Sequence, residues 1–203
     1  MKIIISILLA VTLWTDSVLF DAYQREDMTV WKEYIDRLRL TEDRPATPDR
    51  VQTDLLYEYG YCGYIVAEAK KEGKEALLPE AKQRVENFKF QISNFKSKMP
   101  IGHYEMYLSA VYVYELRLHI STHPFKSMSL AKEATQLAPN DPIVLSYYGT
   151  CLFYAPAPIG SKREALKWFR RAEPLFDDPQ YRFSWVREAN QMYIRQCLDK
   201  LKK

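Results

Sequence analysis

The chain has 203 residues, 47% of them hydrophobic, with 29 lysines and arginines against 26 aspartates and glutamates. That length and apolar content suit one domain with a packed core and exclude intrinsic disorder. The nearly balanced charge leaves no electrostatic case for nucleic acid or an anionic membrane surface.

The chain opens with Met1-Lys2 and a largely apolar run from Ile3 to Trp14, followed by the polar Thr15-Asp16-Ser17. One positive charge before a short apolar run predicts a secretory signal peptide or N-terminal anchor within 1–22, too short to span a bilayer, which takes about 20 apolar residues. Cleavage is expected after Ser17 or after Ala22, which makes the protein exported, periplasmic or secreted. Three cysteines, Cys62, Cys151 and Cys197, are too few for a disulfide scaffold and read as small buried apolar residues.

No segment shows the alternation of a strand; helical spacing recurs instead. Over 27–40, Val30, Trp31, Tyr34, Ile35 and Leu38 fall on one stripe. A polar linker with Pro45 and Pro48 completes the N-terminal part, 23–50. A helix is expected over 51–71, and its partner starts near Pro79, with Ala81, Val85, Phe88, Ile92 and Phe95 at steps of three and four. Pro100-Ile101-Gly102 breaks it. A tyrosine-rich helix follows over 103–121, then another after Pro124 that ends at Leu137-Ala138-Pro139. Asp141-Pro142 supplies a cap and a first-turn proline. Ser161 and Glu164 have capping-box spacing and open a helix reaching 176. Asp178-Pro179 repeats the cap-proline start for the last helix.

Helices arriving in pairs contain an internal repeat. Leu56-x-x-Tyr59-Gly60-Tyr61-Cys62 matches Leu145-x-x-Tyr148-Gly149-Thr150-Cys151 in register. A glycine where two helices cross lets one backbone press against its partner. With Leu145, Tyr148, Gly149 and Leu152 on one helix and Ala165, Phe169 and Ala172 on the next, the chain resembles the tetratricopeptide repeat family. Ala134 and Pro139 match the family's repeat ending, and Pro142 and Pro179 stand close to one period of about 34 residues apart. The turns between helices are longer than the family's, and the second hairpin has Ala110 in place of the glycine.

The resemblance implies an all-α array over 51–203: three hairpins, with an N-terminal helix before them and a capping helix after them. In such arrays the first helices line a concave groove. Carried onto this chain, the groove positions are Tyr57, Tyr61 and Tyr64 in the first hairpin and Tyr104, Tyr107 and Tyr114 in the second. The third contributes Thr150 and Tyr154, with Ser146 and Phe153. Tyrosine, present 15 times, combines large contact area with a polar tip and suits an interface.

Catalytic patterns are missing: no nucleophile elbow, phosphate loop or His-Glu-x-x-His helix occurs. His119 and His123 have metal-ligand spacing, but Pro124 and the lack of a third ligand favour a capping or surface role. Asp177-Asp178 reads as a helix cap, and the basic clusters around Lys162-Arg163, Arg170-Arg171 and Lys202-Lys203 as solvated faces. The expectation is a non-enzymatic envelope protein with no cofactor or metal, which recognises a protein or peptide segment in its tyrosine-lined groove. The alternatives are a self-assembling homo-oligomeric subunit and a small-molecule-binding accessory subunit of a transport system.

Overall fold

The computed structural model describes residues 18–40, 46–120, 124–181 and 184–202. Most of the signal segment, residues 41–45 of the first linker, and Thr122 and His123 lie outside the described residues. Among the described residues every regular element is helical. A short helix α1 covers 18–24. It is followed by α2 (Met28–Leu40), α3 (Pro48–Glu68), α4 (Leu78–Asn94), α5 (His103–Arg117) and α6 (Pro124–Leu137). The chain continues with α7 (Pro142–Tyr154), α8 (Lys162–Ala172) and α9 (Trp185–Leu201).

Caps and prolines set most of these ends. Thr47 accepts the Arg50 N–H and Pro48 takes the first turn, so α3 starts ahead of the expected residue 51. Asp141 accepts the N–H groups of Ile143 and Val144 at the start of α7. Ser161 accepts the Glu164 N–H, while the Glu164 carboxylate pairs with Lys167, so the capping box is one-sided. The last helix departs from expectation. Asp178 and Pro179 open only a 3-10 turn, Pro179–Tyr181, and α9 begins at Trp185. Asp178 does cap, accepting the Gln180 N–H, but Tyr181 turns aside to pack edge-on against Phe176.

The helices pack as three successive hairpins, α3 with α4, α5 with α6 and α7 with α8, and α9 closes the end against α7 and α8. An inner row runs through α3, α5, α7 and α9, each touching the next. This is an all-α helical hairpin array. The core holds Trp31, Phe88, Tyr107, Phe169 and Phe176, all fully buried. Burying a side chain of this size contributes roughly 1.5–3 kcal/mol. No described helix is long and apolar enough to cross a membrane.

The two matched glycines meet different neighbours. A Cβ on Gly149 would stand 2.7 Å from the Phe169 ring, so α7 and α8 approach at the expected crossing. A Cβ on Gly60 would instead meet Trp31 at 2.8 Å and Trp185 at 2.9 Å. Gly60 therefore makes room for α2 and α9 rather than for its hairpin partner α4. In the second hairpin Ala110 is buried. Its neighbour Ser109 spans the joint, bonding the Ser127 carbonyl at 2.7 Å and the Tyr147 hydroxyl at 2.8 Å.

Candidate functional site

The inner row converges on Tyr59 of α3. Its ring centre lies 6.0 Å from Tyr107 and 6.3 Å from Tyr114 on α5, 5.9 Å from Tyr147 on α7 and 5.7 Å from Trp185 on α9. Each inner helix thus sends at least one aromatic ring to a common hub. The rings leave a gap on one side, and the result is a cavity of about 160 Å3. Its walls include Tyr59, Tyr147, Thr150, Trp185, Met192 and Tyr193, and Tyr23 of α1 contributes to the lining.

The helix α1 is held there by its own apolar residues, since Leu19 and Ala22 are fully buried. Tyr23 packs at 5.8 Å from Trp185 and 6.0 Å from Trp31. Trp31 of α2 lies across the same region, donating its indole N–H to the Tyr57 carbonyl at 3.0 Å. The N-terminal helices therefore cover part of the inner face.

Electrostatics keep the cavity neutral. Burial, with a smaller push from Cys151, raises the Tyr59 phenol well above its ordinary value. Burial does the same for Tyr147, and for Tyr193 together with its bond to Tyr154. These hydroxyls stay protonated at neutral pH and act as hydrogen-bond donors or acceptors, not as anionic ligands. Burial also pushes the Cys151 thiol up to about 12, which removes it as a nucleophile. The indole N–H of Trp185 is buried with no acceptor in the protein.

The eight tyrosine and threonine positions carried over from the repeat pattern are not gathered into one site. Thr150 lines the cavity, as does Ser146. Tyr107 and Tyr114 point to the hub but are buried in it. Tyr57 is buried against Trp31 and Tyr34 of α2. Tyr61 is buried toward α4, donating to Glu80 and lying under Arg84. Tyr64 sits beside Tyr61 and is 37% exposed. Tyr104 lies near the ammonium of Lys96, 4.1 Å from its ring centre. Tyr154 is 68% exposed and bonds the Tyr193 hydroxyl at 3.3 Å.

No protein-family model and no curated protein matches this chain in sequence. One solved structure is similar in fold. It is the HusA haemophore from Porphyromonas gingivalis, with a TM-score of 0.57 and 14% identity over 90% of this chain and 92% of that one. At that identity the likeness shows the fold alone.

What sequence reasoning missed is α9. Trp185, Ala189, Met192 and Tyr193 form one helical stripe and all line the cavity. The stripe is visible in the sequence, but a helix read as a solvating cap offers no reason to look for it. Among the described residues no cluster of three or more His, Cys, Asp or Glu side chains is placed to hold a metal. Lys70 donates from its ammonium to His119 Nε2 at 3.1 Å. The three cysteines are not joined in disulfides.

Proposed function

We propose that this chain is a non-enzymatic binding protein of the cell envelope, a divergent tetratricopeptide-like array whose inner face takes a flat, largely apolar ligand. The observation that carries this reading is the aromatic cavity at the meeting of α1, α3, α7 and α9, with its unpartnered indole N–H on Trp185. Flat aromatic walls give contact area at little entropic cost, and a few polar tips fix orientation. Nothing in the site supplies a nucleophile, a charged acid–base pair or a metal, so binding rather than turnover is the activity in view.

The similarity in fold to a haemophore makes a tetrapyrrole the first ligand to try. The cavity of about 160 Å3 is smaller than that ligand, since drug-sized pockets run from about 300 to 1,000 Å3. A tetrapyrrole therefore enters only if Tyr23 and the rest of α1 swing off the inner face, whereas a small flat aromatic fits the closed form. Recognition of a protein or peptide segment, the reading the repeat suggests, finds less room. Tyr57, Tyr61, Tyr107 and Tyr114 are engaged in the core, and α1 and α2 cover part of the inner face. Export rests on the signal segment, and processing after Ser17 keeps Leu19 and Ala22, which cleavage after Ala22 would remove from the core.

The test is titration of the full chain with haemin, protoporphyrin IX and smaller planar aromatics, followed by quenching of tryptophan fluorescence. Saturable one-to-one binding is expected for at least one of them. It should be lost in Thr150→Phe, which fills the cavity, while the melting temperature stays near that of the unsubstituted protein. Absence of saturation across the series, or binding that survives Thr150→Phe, rejects the cavity as the site.

A further inference from the structure

Beyond the cavity, the groove between α7 and α9 ends in a cluster of a different kind. Phe153, Tyr154 and Tyr193 form an aromatic triad with ring centres 5.0 Å, 5.2 Å and 6.0 Å apart. Tyr193 belongs both to this triad and to the cavity wall, so the triad adjoins the cavity. Over the same Phe153 ring sit two ammonium groups. Lys162 of α8 places its Nζ 3.8 Å from the ring centre, and Lys200 of α9 places its own at 4.9 Å.

Two like charges held at one ring, with no counter-ion among the described residues, call for an explanation. The carboxylates nearest in sequence pair elsewhere: Glu164 with Lys167 and Asp199 with Lys202. Among the described residues, no ion pair joins either Lys162 or Lys200 to a carboxylate. A structural role accounts for part of the arrangement. Lys162 donates to the Phe153 carbonyl, one of the free carbonyls in the last turn of α7, where a cation is favoured. That uses one of its three N–H groups and leaves Lys200 without a hydrogen-bond role. The attraction of an ammonium to a phenylalanine face is modest at an exposed site, and two cations at one ring oppose each other.

The geometry points to an anion subsite: Lys162 and Lys200 receive the carboxylate of a ligand whose flat apolar body lies along Tyr154, Tyr193 and the cavity. This deepens the binding reading above and rests on it. The ligand class is an aromatic or macrocyclic carboxylate, which for a tetrapyrrole means its propionate side chains. Burial and the neighbouring Lys200 lower the Lys162 ammonium from its ordinary value, so an arriving anion relieves a repulsion already present. Net charge alone is no guide to this subsite, because the whole chain carries only +3.

The experiment compares protoporphyrin IX with its uncharged dimethyl ester on the full chain, by tryptophan quenching at low and high salt. The acid should bind roughly tenfold or more tightly than the ester, and salt should weaken the acid alone. Lys200→Gln should lose most of that preference while leaving ester binding unchanged. Lys200 makes no hydrogen bond, so this variant does not put the fold at risk. Lys162→Arg, which keeps both charge and a donor for the Phe153 carbonyl, should retain the preference, whereas Lys162→Gln with Lys200→Gln should abolish it. Equal affinity for acid and ester in the unsubstituted protein, or a preference that survives the double substitution, overturns the subsite and leaves the cavity reading intact. Failure of both porphyrins to bind overturns the cavity reading for this ligand class and the subsite with it.

Discussion

Gly149 and Phe169 fix how closely α7 and α8 approach. Phe169 is fully buried and stacks on Tyr193 at 5.3 Å, nearly parallel, so its ring has no free direction in which to retreat. Gly149→Ala would place a methyl 2.7 Å from that ring. Alanine gains up to about 1 kcal/mol over glycine in a helix interior, but overpacking of this kind costs about 1–3 kcal/mol. A net loss of stability is expected, read as a lower urea midpoint at unchanged slope; a stabilised variant would show that the crossing is not close. This contact is legible in the sequence because glycine spacing and Ala-x-x-x-Phe spacing state it together. The fate of the tyrosines is not. Helical periodicity puts Tyr57, Tyr61 and Tyr64 on neighbouring faces of α3, but which face is covered depends on α2 and α4, and no pattern within α3 records that. The match in register with Tyr148 gives no sign that Tyr59 is the hub of the inner face.

Between elements, a second polar clasp joins α5 to the start of α7, beside the Ser109–Tyr147 hydrogen bond. His103, the first residue of α5 and fully buried, donates from Nε2 to Asp141 Oδ2 at 2.9 Å, while Asp141 Oδ1 caps α7. Burial would raise the Asp141 carboxyl, but the His103 hydrogen bond, its charge and the two backbone N–H groups outweigh burial and hold it below its usual 3.8. A carboxyl depressed on folding stabilises fully above its unfolded value, and that contribution is lost as pH falls through the folded value. Asp141→Asn keeps a side chain that caps well and removes the charge. The expected result is a gap in unfolding free energy between the two proteins that is constant near neutrality and narrows as pH drops below about 4. A gap that stays constant down to pH 2.5 would mean the charge on Asp141 contributes nothing. The start of α7 was readable from Asp141-Pro142, as were the starts at Pro79 and Ser161, because caps and first-turn prolines act locally. The partner His103 lies in another hairpin, and the late start of α9 depends on Tyr181 packing against Phe176. Neither is a local signal.

At the scale of the whole molecule, a repeat pattern describes how each hairpin meets the next but says nothing of what folds back onto the inner face. Here α1 and α2 do so, with Trp31 seated at Gly60 and Trp185, and Tyr23 forming part of the cavity wall. The array is therefore capped from both chain ends at one place, and the size of the ligand decides whether that cap must open. A ligand that binds only the open form has its affinity reduced by the fraction of molecules already open, and saturation shifts the population toward that form. Arg25, exposed in the turn that follows α1, reports on this directly. Limited trypsin digestion at Arg25 should accelerate several-fold when the protein is saturated with a porphyrin, because α1 leaves the face and its turn becomes free to enter the protease. A small planar aromatic that fits the closed cavity should slow the same cleavage, since it adds contacts to Tyr23 and binds the closed form. Saturation with a porphyrin and no change in the rate at Arg25 would place the opening elsewhere in the array, between α7 and α9, where the two lysines stand.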